Sequence, residues 1–136
     1  MALRRVLVVH GAQDRAALLR LIARELGYAR LSARLSRELG SVLAVAGRRG
    51  VVQTVAGEVS LAWSSYHEAS RDEQKSAFLA AIGRSWATRE EAMTRAARYS
   101  GFGRVSPKMR ALFASLINGL LRERRLDASG DRIRRV

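Results

Sequence analysis

The chain has 136 residues, which suffices for one ordinary domain or two small ones. It contains no cysteine, which excludes disulfide frameworks and thiolate metal sites, and no apolar run approaches the roughly 18 residues that span a bilayer. Its 25 Lys and Arg residues against 12 Asp and Glu residues give a net charge of +13, which favours a polyanionic partner, nucleic acid first. No cleavage site follows the basic first residues, so a cytoplasmic protein without membrane association is expected.

A sequence repeat divides the chain into two similar parts. The stretch GYARLS at 27–32 recurs as GFGRVS at 101–106, which is 74 residues later. The register holds without a gap from His10 and Arg84 to the end. Residues 1–62 carry a net charge of +6 and residues 63–136 carry +7, so both parts are basic. One structural unit used twice is the simplest interpretation.

In chain order, the first predicted element is a helix over residues 2–9. Its run of valines favours a strand by local propensity, but its repeat counterpart, residues 80–83, lies at the end of a capped helix. Asp14 is predicted to cap the second helix, and Gly27 to end it with positive φ. Ser32 caps the third helix, and residues 51–61 form a hairpin that turns at Ala56-Gly57. The apolar positions of the third helix that are predicted to point inward are Leu35, Leu39, Val42, Leu43 and Ala46.

The second part carries clearer signals for the same elements. Ser70 and Glu73 form a capping box that opens a helix through about Ile82. Thr88 caps the next helix and Gly101 ends it. The third helix has Ser106 at its N-cap and Pro107 at its first position, and residues 126–133 follow as two short strands about a Ser-Gly-Asp turn. Its predicted buried stripe is Met109, Leu112, Phe113, Leu116, Ile117 and Leu120.

These elements predict an α+β fold, mainly α with small β-hairpins, built as two repeats of helix, helix, helix and hairpin. That order is typical of a tandem winged helix-turn-helix protein. The predicted units are residues 1–62 and 71–136, joined by a linker at 63–70. The aromatic residues that follow the turn glycines, Tyr28 and Phe102, are predicted to fill the core between helices.

The pattern from the apolar first helix through Gly-aromatic-x-Arg-x-Ser to the basic corner and hairpin resembles a domain of unknown function. That domain lies near the C-terminus of large bacterial superfamily-one helicase-like proteins. The resemblance covers residues 10–60 and 84–134 and implies the winged-helix fold more than an activity. The family has a Glu-Gly-Pro-Ile-like stretch between its first two helices. This chain departs from that pattern, with His-Gly-Ala-Gln at 10–13 and Arg-Ser-Trp-Ala at 84–87. No helicase motor accompanies the repeats.

Basic residues cluster where a winged helix meets nucleic acid. Arg34 and Arg37 lie on the predicted outward face of the first unit's third helix, which suits contacts with base edges. Arg30 and Arg104 directly precede the third helices, a position that is well placed for contacts with the phosphates of a bound nucleic acid. The alternatives are a solvated cationic face or a surface of small residues packed on a protein. The full set of candidate nucleic-acid-binding residues is Arg30, Arg34, Arg37, Ser41, Arg48, Arg49, Arg104, Lys108, Arg110, Ser115, Asn118, Arg122, Arg124, Arg125, Arg132, Arg134 and Arg135.

The sequence offers no constellation for catalysis. His10 and His67 have no cysteine or carboxylate at ligand spacing, which argues against a metal site. The Gly47–Gly50 stretch lacks the Lys-Ser/Thr of a phosphate loop, so no cofactor is expected.

The sequence therefore predicts a non-catalytic protein that binds double-stranded nucleic acid, with DNA favoured over RNA as the partner. It would act as a regulator or as the DNA-holding subunit of a larger helicase- or nuclease-type machine, associated with the nucleoid. The alternatives are an adaptor whose winged helices bind protein, and an RNA-binding subunit of a ribonucleoprotein, because this fold serves all three.

Overall fold

The computed structural model describes residues 2–136, which form seven helices and two small three-stranded antiparallel sheets, a mixed α+β architecture. The chain divides into two units, one ending at Ala69 and the other beginning at Ser70. The elements of the first unit are α1 (Ala2–His10), β1 (Gln13–Asp14), α2 (Arg15–Glu25), α3 (Ala33–Arg48), β2 (Val52–Val55), β3 (Glu58–Leu61) and α4 (Trp63–His67). Those of the second are α5 (Arg71–Ile82), β4 (Ala87–Thr88), α6 (Arg89–Tyr99), α7 (Pro107–Arg122), β5 (Leu126–Ser129) and β6 (Arg132–Arg135).

Helix α1 confirms the prediction that the repeat outweighs local β propensity. Its apolar residues recur at three-to-four spacing, and Leu3, Val6 and Leu7 are all buried, with Val8 beside them. This spacing puts one apolar face against α2. Packing of that face, rather than the preference of valine for strands, determines the helix.

Helix α2 begins and ends as its cap residues predict. The Asp14 carboxylate accepts a hydrogen bond from the Ala17 backbone N–H at 2.9 Å. At the other end Gly27 has φ of +92°, and the N–H of Tyr28 donates to the Ala23 carbonyl at 2.9 Å. The Gly27 N–H donates to the Arg24 carbonyl, which completes a Schellman motif. The sharp turn into α3 depends on this glycine.

Helix α3 buries a narrower stripe than its sequence predicts. Leu39, Leu43 and Ala46 are buried and Leu35 is half-buried. The prediction that Val42 points inward is wrong, because its side chain is 53% exposed. Val42 lies at the margin of the apolar stripe, on the side toward α1, and lines a recess there together with Leu3.

Each hairpin carries a third strand that the sequence did not predict. In the first unit the order is β1-β3-β2, with Gln13 opposite Val59 and Asp14 opposite Glu58. The hairpin turns at Ala56-Gly57 as predicted, with φ of +52° and +80°, which are the dihedrals of a type I′ turn. The added strand joins the start of α2 to the hairpin.

The segment 63–70, predicted as a linker, contains helix α4. Ser65 and Tyr66 of α4 are buried, and the Trp63 and Tyr66 rings stack with centroids 5.7 Å apart. In addition, Arg4 of α1 pairs with Glu68 at 3.6 Å. These contacts attach residues 63–69 to the first unit. The helix spans only five residues, too short for a periodicity that sequence analysis can detect.

The second unit follows its predicted caps closely. The Oγ atoms of Ser70, Thr88 and Ser106 each accept a hydrogen bond from a backbone N–H three residues later. Strand β4 pairs with β6, so the sheet order is β4-β6-β5. All of the predicted buried stripe of α7 is buried except Leu112, which is half-buried.

The two aromatic residues that follow the turn glycines differ. Phe102 is only 6% exposed, which confirms its predicted place in the core. Tyr28 is 52% exposed, so the same prediction is wrong for the first unit. Tyr28 instead lines a recess beside α2.

Candidate nucleic-acid interface

The outward face of α3 is cationic and lined by small residues. At about 100° per residue, Arg34, Arg37, Ser41, Ala44 and Arg48 share one arc of the helix, and all five are exposed. Among the described residues, neither Arg37 nor Arg48 forms an ion pair. These two guanidiniums are therefore available to an anion.

Two residues of this face already have partners within α3. The Arg34 Nε donates to the Glu38 carboxylate at 3.2 Å, in a pair that is largely exposed. Ser41 Oγ donates to the Arg37 carbonyl at 3.1 Å. An exposed pair of this kind contributes little to stability and is readily exchanged for a stronger anion. Arg34 remains usable for binding, at the cost of breaking the contact with Glu38.

A groove of about 500 Å³ separates α3 from the hairpin. Gly40, Ala44 and Gly47 form its helical wall, and hairpin residues from Val52 to Val59 form the other. Arg15, at the start of α2, reaches over Gly40: a Cβ added there would lie 2.5 Å from its guanidinium nitrogen. The small residues therefore make room for an arginine inside the groove.

Sequence reasoning missed Arg15 as a candidate for this site. It lies at the first position of α2, 25 residues before Gly40, so nothing in the local pattern links the two. The repeat offered the one available signal, because arginine stands at both of the aligned positions, Arg15 and Arg89.

Arg30 lies in a separate recess at the turn between α2 and α3. It is exposed and lines a cavity of about 340 Å³ together with Arg20, Arg24 and Tyr28. Arg20, Arg24 and Tyr28 were not among the predicted site residues. The turn thus adds a cationic surface with one exposed aromatic ring.

The outward face of α7 is less available than that of α3. Lys108 and Asn118 are exposed. Ser115 is engaged by Arg71 of α5, whose guanidinium donates to the Ser115 carbonyl at 3.0 Å and to its Oγ at 2.7 Å. The predicted role of Ser115 in binding therefore requires that Arg71 first release it.

Arg110 points to a neighbouring helix. Its guanidinium pairs with the Glu90 carboxylate of α6, and this hydrogen bond raises the pKa of Arg110 above its ordinary value. Arg104, in the turn before α7, is exposed. Both predicted residues are exposed, and Arg110 is the one that is already paired with a carboxylate.

The ends of the third helices hold the basic corners. Arg122, Arg124 and Arg125 are exposed after α7, and Arg125 lies 4.0 Å from the Glu123 carboxylate. In the first unit, Arg48 belongs to the outward face, whereas Arg49 turns toward α1 and lines an apolar recess there. The two adjacent arginines therefore serve different surfaces.

The three arginines of the last hairpin differ in the contacts that their side chains make. Arg132 and Arg135 are exposed. Arg134 lies 4.6 Å from the centroid of the Trp86 ring and pairs with Asp127 at 3.3 Å. Arg134 thus holds Trp86 in a cation–π contact, while Arg132 and Arg135 are open.

Comparison with protein-family models, with curated proteins and with solved structures finds no match to this chain.

Within residues 2–136, no helix is long and apolar enough to cross a membrane. The same residues contain no group of three or more His, Asp or Glu side chains placed to hold a metal ion.

Proposed function

We propose that the chain is a tandem winged-helix protein that binds double-stranded DNA without catalysing a reaction. The observation that carries this proposal is the outward face of α3, where neither Arg37 nor Arg48 forms an ion pair with a residue that the structure describes. Gly40, Ala44 and Gly47 open the groove beside this face. A helix with small and cationic residues on its outer face suits the major groove, since the backbone approaches closely and arginine forks reach guanine and phosphate.

The element order supports the winged-helix part of the proposal. Each unit has a helix, a short strand, two helices joined by a glycine turn, and a hairpin. In a winged helix the third helix enters the major groove while the hairpin lies along the backbone. The exposed Arg132 and Arg135 on the last hairpin suit the second of these contacts.

The two units are suited to different tasks. The first offers an open arginine face. In the second, Glu90 engages Arg110 and Arg71 engages Ser115, which leaves Lys108 and Asn118 as the outward polar residues. We infer that the first unit supplies most sequence preference and that the second contributes backbone contacts. This division suits a regulator or the DNA-holding subunit of a larger machine.

The decisive experiment is a fluorescence anisotropy titration of the full chain against duplex DNA, single-stranded DNA and RNA of matched length. Duplex DNA is expected to bind most tightly. Changing Arg34 and Arg37 together to Ala is expected to weaken duplex binding about tenfold or more and to blunt any sequence preference.

A matched control is the pair Arg20→Ala and Arg24→Ala, which removes the same charge from exposed positions on α2 of the same unit. It is expected to weaken binding less and evenly across sequences. If RNA binds more tightly than duplex DNA, the ribonucleoprotein alternative replaces this proposal. If the α3 pair and the α2 pair have equal effects, α3 does not enter the groove.

A further inference from the structure

The cationic recess at the turn between α2 and α3 combines three arginines with one aromatic ring. Arg20, Arg24 and Arg30 line it, together with the exposed Tyr28. No Asp or Glu lines this Tyr28 recess, so three positive charges border one space of about 340 Å³. Sites for small ligands usually have volumes of about 300–1,000 Å³. The recess is therefore large enough for a ligand that carries an anionic group.

The three guanidiniums of the Tyr28 recess are available to an outside anion. Among residues 2–136, none of them forms an ion pair or a side-chain hydrogen bond. The nearest acid in the sequence, Glu25, is engaged by Arg5 at 2.5 Å. The helix dipole favours a cation in the last turn of α2, which accounts for Arg24. It does not account for Arg30, which lies in the turn beyond the helix.

The second unit has the same turn with a different surface. In both units a glycine with positive φ ends the helix, and the N–H of the next residue donates to a carbonyl five residues earlier, at 2.9 Å and 2.8 Å. Yet Tyr28 is 52% exposed, whereas the aligned Phe102 is 6% exposed. Arg20 aligns with Thr94. The turn is thus equally fixed in both units, and the exposed ring and the third arginine belong to the first unit.

The lining of the Tyr28 recess suits a base that carries a phosphate. Its remaining residues, Ala23, Ala29 and Leu31, are small or apolar. A tyrosine ring offers a face on which any nucleobase stacks, and arginine forks match the geometry of phosphate. Bases inside a duplex are stacked on their neighbours, so only an unpaired nucleotide presents a free base face.

We propose that the Tyr28 recess binds an unpaired nucleotide of a single-stranded nucleic acid. The base stacks on the Tyr28 ring, and the arginines contact the phosphates on either side of that base. A strand fits better than a free nucleotide because the arginines come from two places, Arg20 and Arg24 from α2 and Arg30 from the turn. They can thus hold successive phosphates, and the net charge of +13 favours a polyanion.

This inference does not rest on duplex binding by the outward face of α3. That face would contact base edges and the backbone of paired strands, whereas the Tyr28 recess requires an exposed base face. Arg30 is the one residue that is a candidate for both surfaces. A chain that binds duplex DNA without preferring bases in single strands would contradict this inference alone, and the reverse result would contradict the duplex proposal alone.

The test is a fluorescence anisotropy titration of the full chain with two fluorescein-labelled single strands of about six nucleotides, a length within the span of one binding site. One strand is oligothymidylate. The matched strand has the same number of phosphates on abasic sugars, so that it differs only in lacking bases. Oligothymidylate is expected to bind about fivefold or more tightly, because stacking of a single base on an aromatic ring contributes at least that factor.

Variants assign this preference to the recess. Tyr28→Ala is expected to bring the affinity for oligothymidylate down to that for the abasic strand. Tyr28→Phe is expected to keep the preference, because the face of the ring remains. Arg24→Ala is expected to weaken both strands about threefold or more. Its matched control is Arg98→Ala, at the aligned and equally exposed position in the last turn of α6, which is expected to weaken them less.

Competition separates a strand from a free nucleotide. Unlabelled oligothymidylate is expected to displace the labelled strand at a concentration about tenfold or more below that of thymidine monophosphate, because the strand offers a phosphate on each side of the base. Inorganic phosphate is expected to compete less well than thymidine monophosphate, because it has no base to stack.

Four results would overturn the proposal. Equal binding of the two strands would show that no base stacks on the chain. A preference that survives Tyr28→Ala would place the base elsewhere. Equal effects of Arg24→Ala and Arg98→Ala would show that overall charge, and not the recess, attracts the strand. Competition by thymidine monophosphate or inorganic phosphate that matches oligothymidylate would make a free nucleotide or a free anion the ligand.

Discussion

Tyr28 and Phe102 occupy the same position in the repeat and differ in burial. Phe102→Ala is expected to cost about 3 kcal/mol of unfolding free energy, because it empties a buried site between helices. Tyr28→Ala is expected to cost below about 0.5 kcal/mol, because half of the ring is already in water. Urea unfolding of both variants measures the difference. Equal losses would mean that Tyr28 supports the core as Phe102 does.

Arg124 adopts a conformation that suits glycine. Its φ is +60°, and in the repeat it aligns with Gly50, whose φ is +73°. Arg124→Gly is expected to raise stability by about 0.5–1 kcal/mol, because an L-residue pays a steric cost in the left-handed region. Arg124→Ala removes the same charge and keeps the strain. A melting temperature that rises equally in both variants would show that charge, and not strain, is relieved.

At the scale of elements, the ion pair between α5 and the end of α7 makes the second unit sensitive to acid. Lys75 is mostly buried, and its hydrogen bond lowers the pKa of Glu123 below the ordinary 4.5. A carboxyl group whose pKa is lower in the folded state than in the unfolded state stabilises the fold at pH values above its unfolded-state pKa. This contribution is lost as the pH falls through the folded-state pKa.

The wild-type chain is therefore expected to lose stability below about pH 4.5 more steeply than Glu123→Gln, which keeps the shape of the side chain and does not titrate. Thermal unfolding across the acid range measures this. If the melting temperatures of the two proteins fell in parallel with pH, the Lys75–Glu123 pair would have no net effect on folding stability.

Much of this element structure was predictable from the sequence because its signals are local. The caps at Asp14, Ser32, Ser70, Thr88 and Ser106 each lie within three residues of the group they satisfy. The repeat corrected the one ambiguous element, α1, where valine content alone predicts a strand.

The elements that sequence analysis missed depend on contacts distant in the chain. Strands β1 and β4 have two residues each, too few for alternation, and exist because β3 and β6 pair with them. Helix α4 spans five residues, Trp63–His67. For the candidate site, the residue types were predictable, whereas the engagement of Ser115 by Arg71 spans 44 residues and had no local signal.

At the scale of the whole molecule, the charge of +13 is shared between the two parts of the chain. We expect the affinity for duplex DNA to fall by about 0.9 log unit per phosphate contact for each decade of salt. Arg135→Ala is expected to reduce that slope by about one contact, since Arg135 is exposed and in the proposed complex would contact only phosphate. A titration series over salt measures both. A slope near zero would exclude a phosphate-dominated interface.

Strand β1 has a mechanical consequence for the groove beside α3. Asp14 both caps α2 and pairs with Glu58, while Gln13 pairs with Val59. The turn end of the hairpin is thereby tied to the start of α2, so movement of that end away from α2 would break the pairing between β1 and β3. This pairing restrains the hairpin wall of the groove beside α3 before any ligand arrives. A molecule that fits it spends little free energy on ordering the protein.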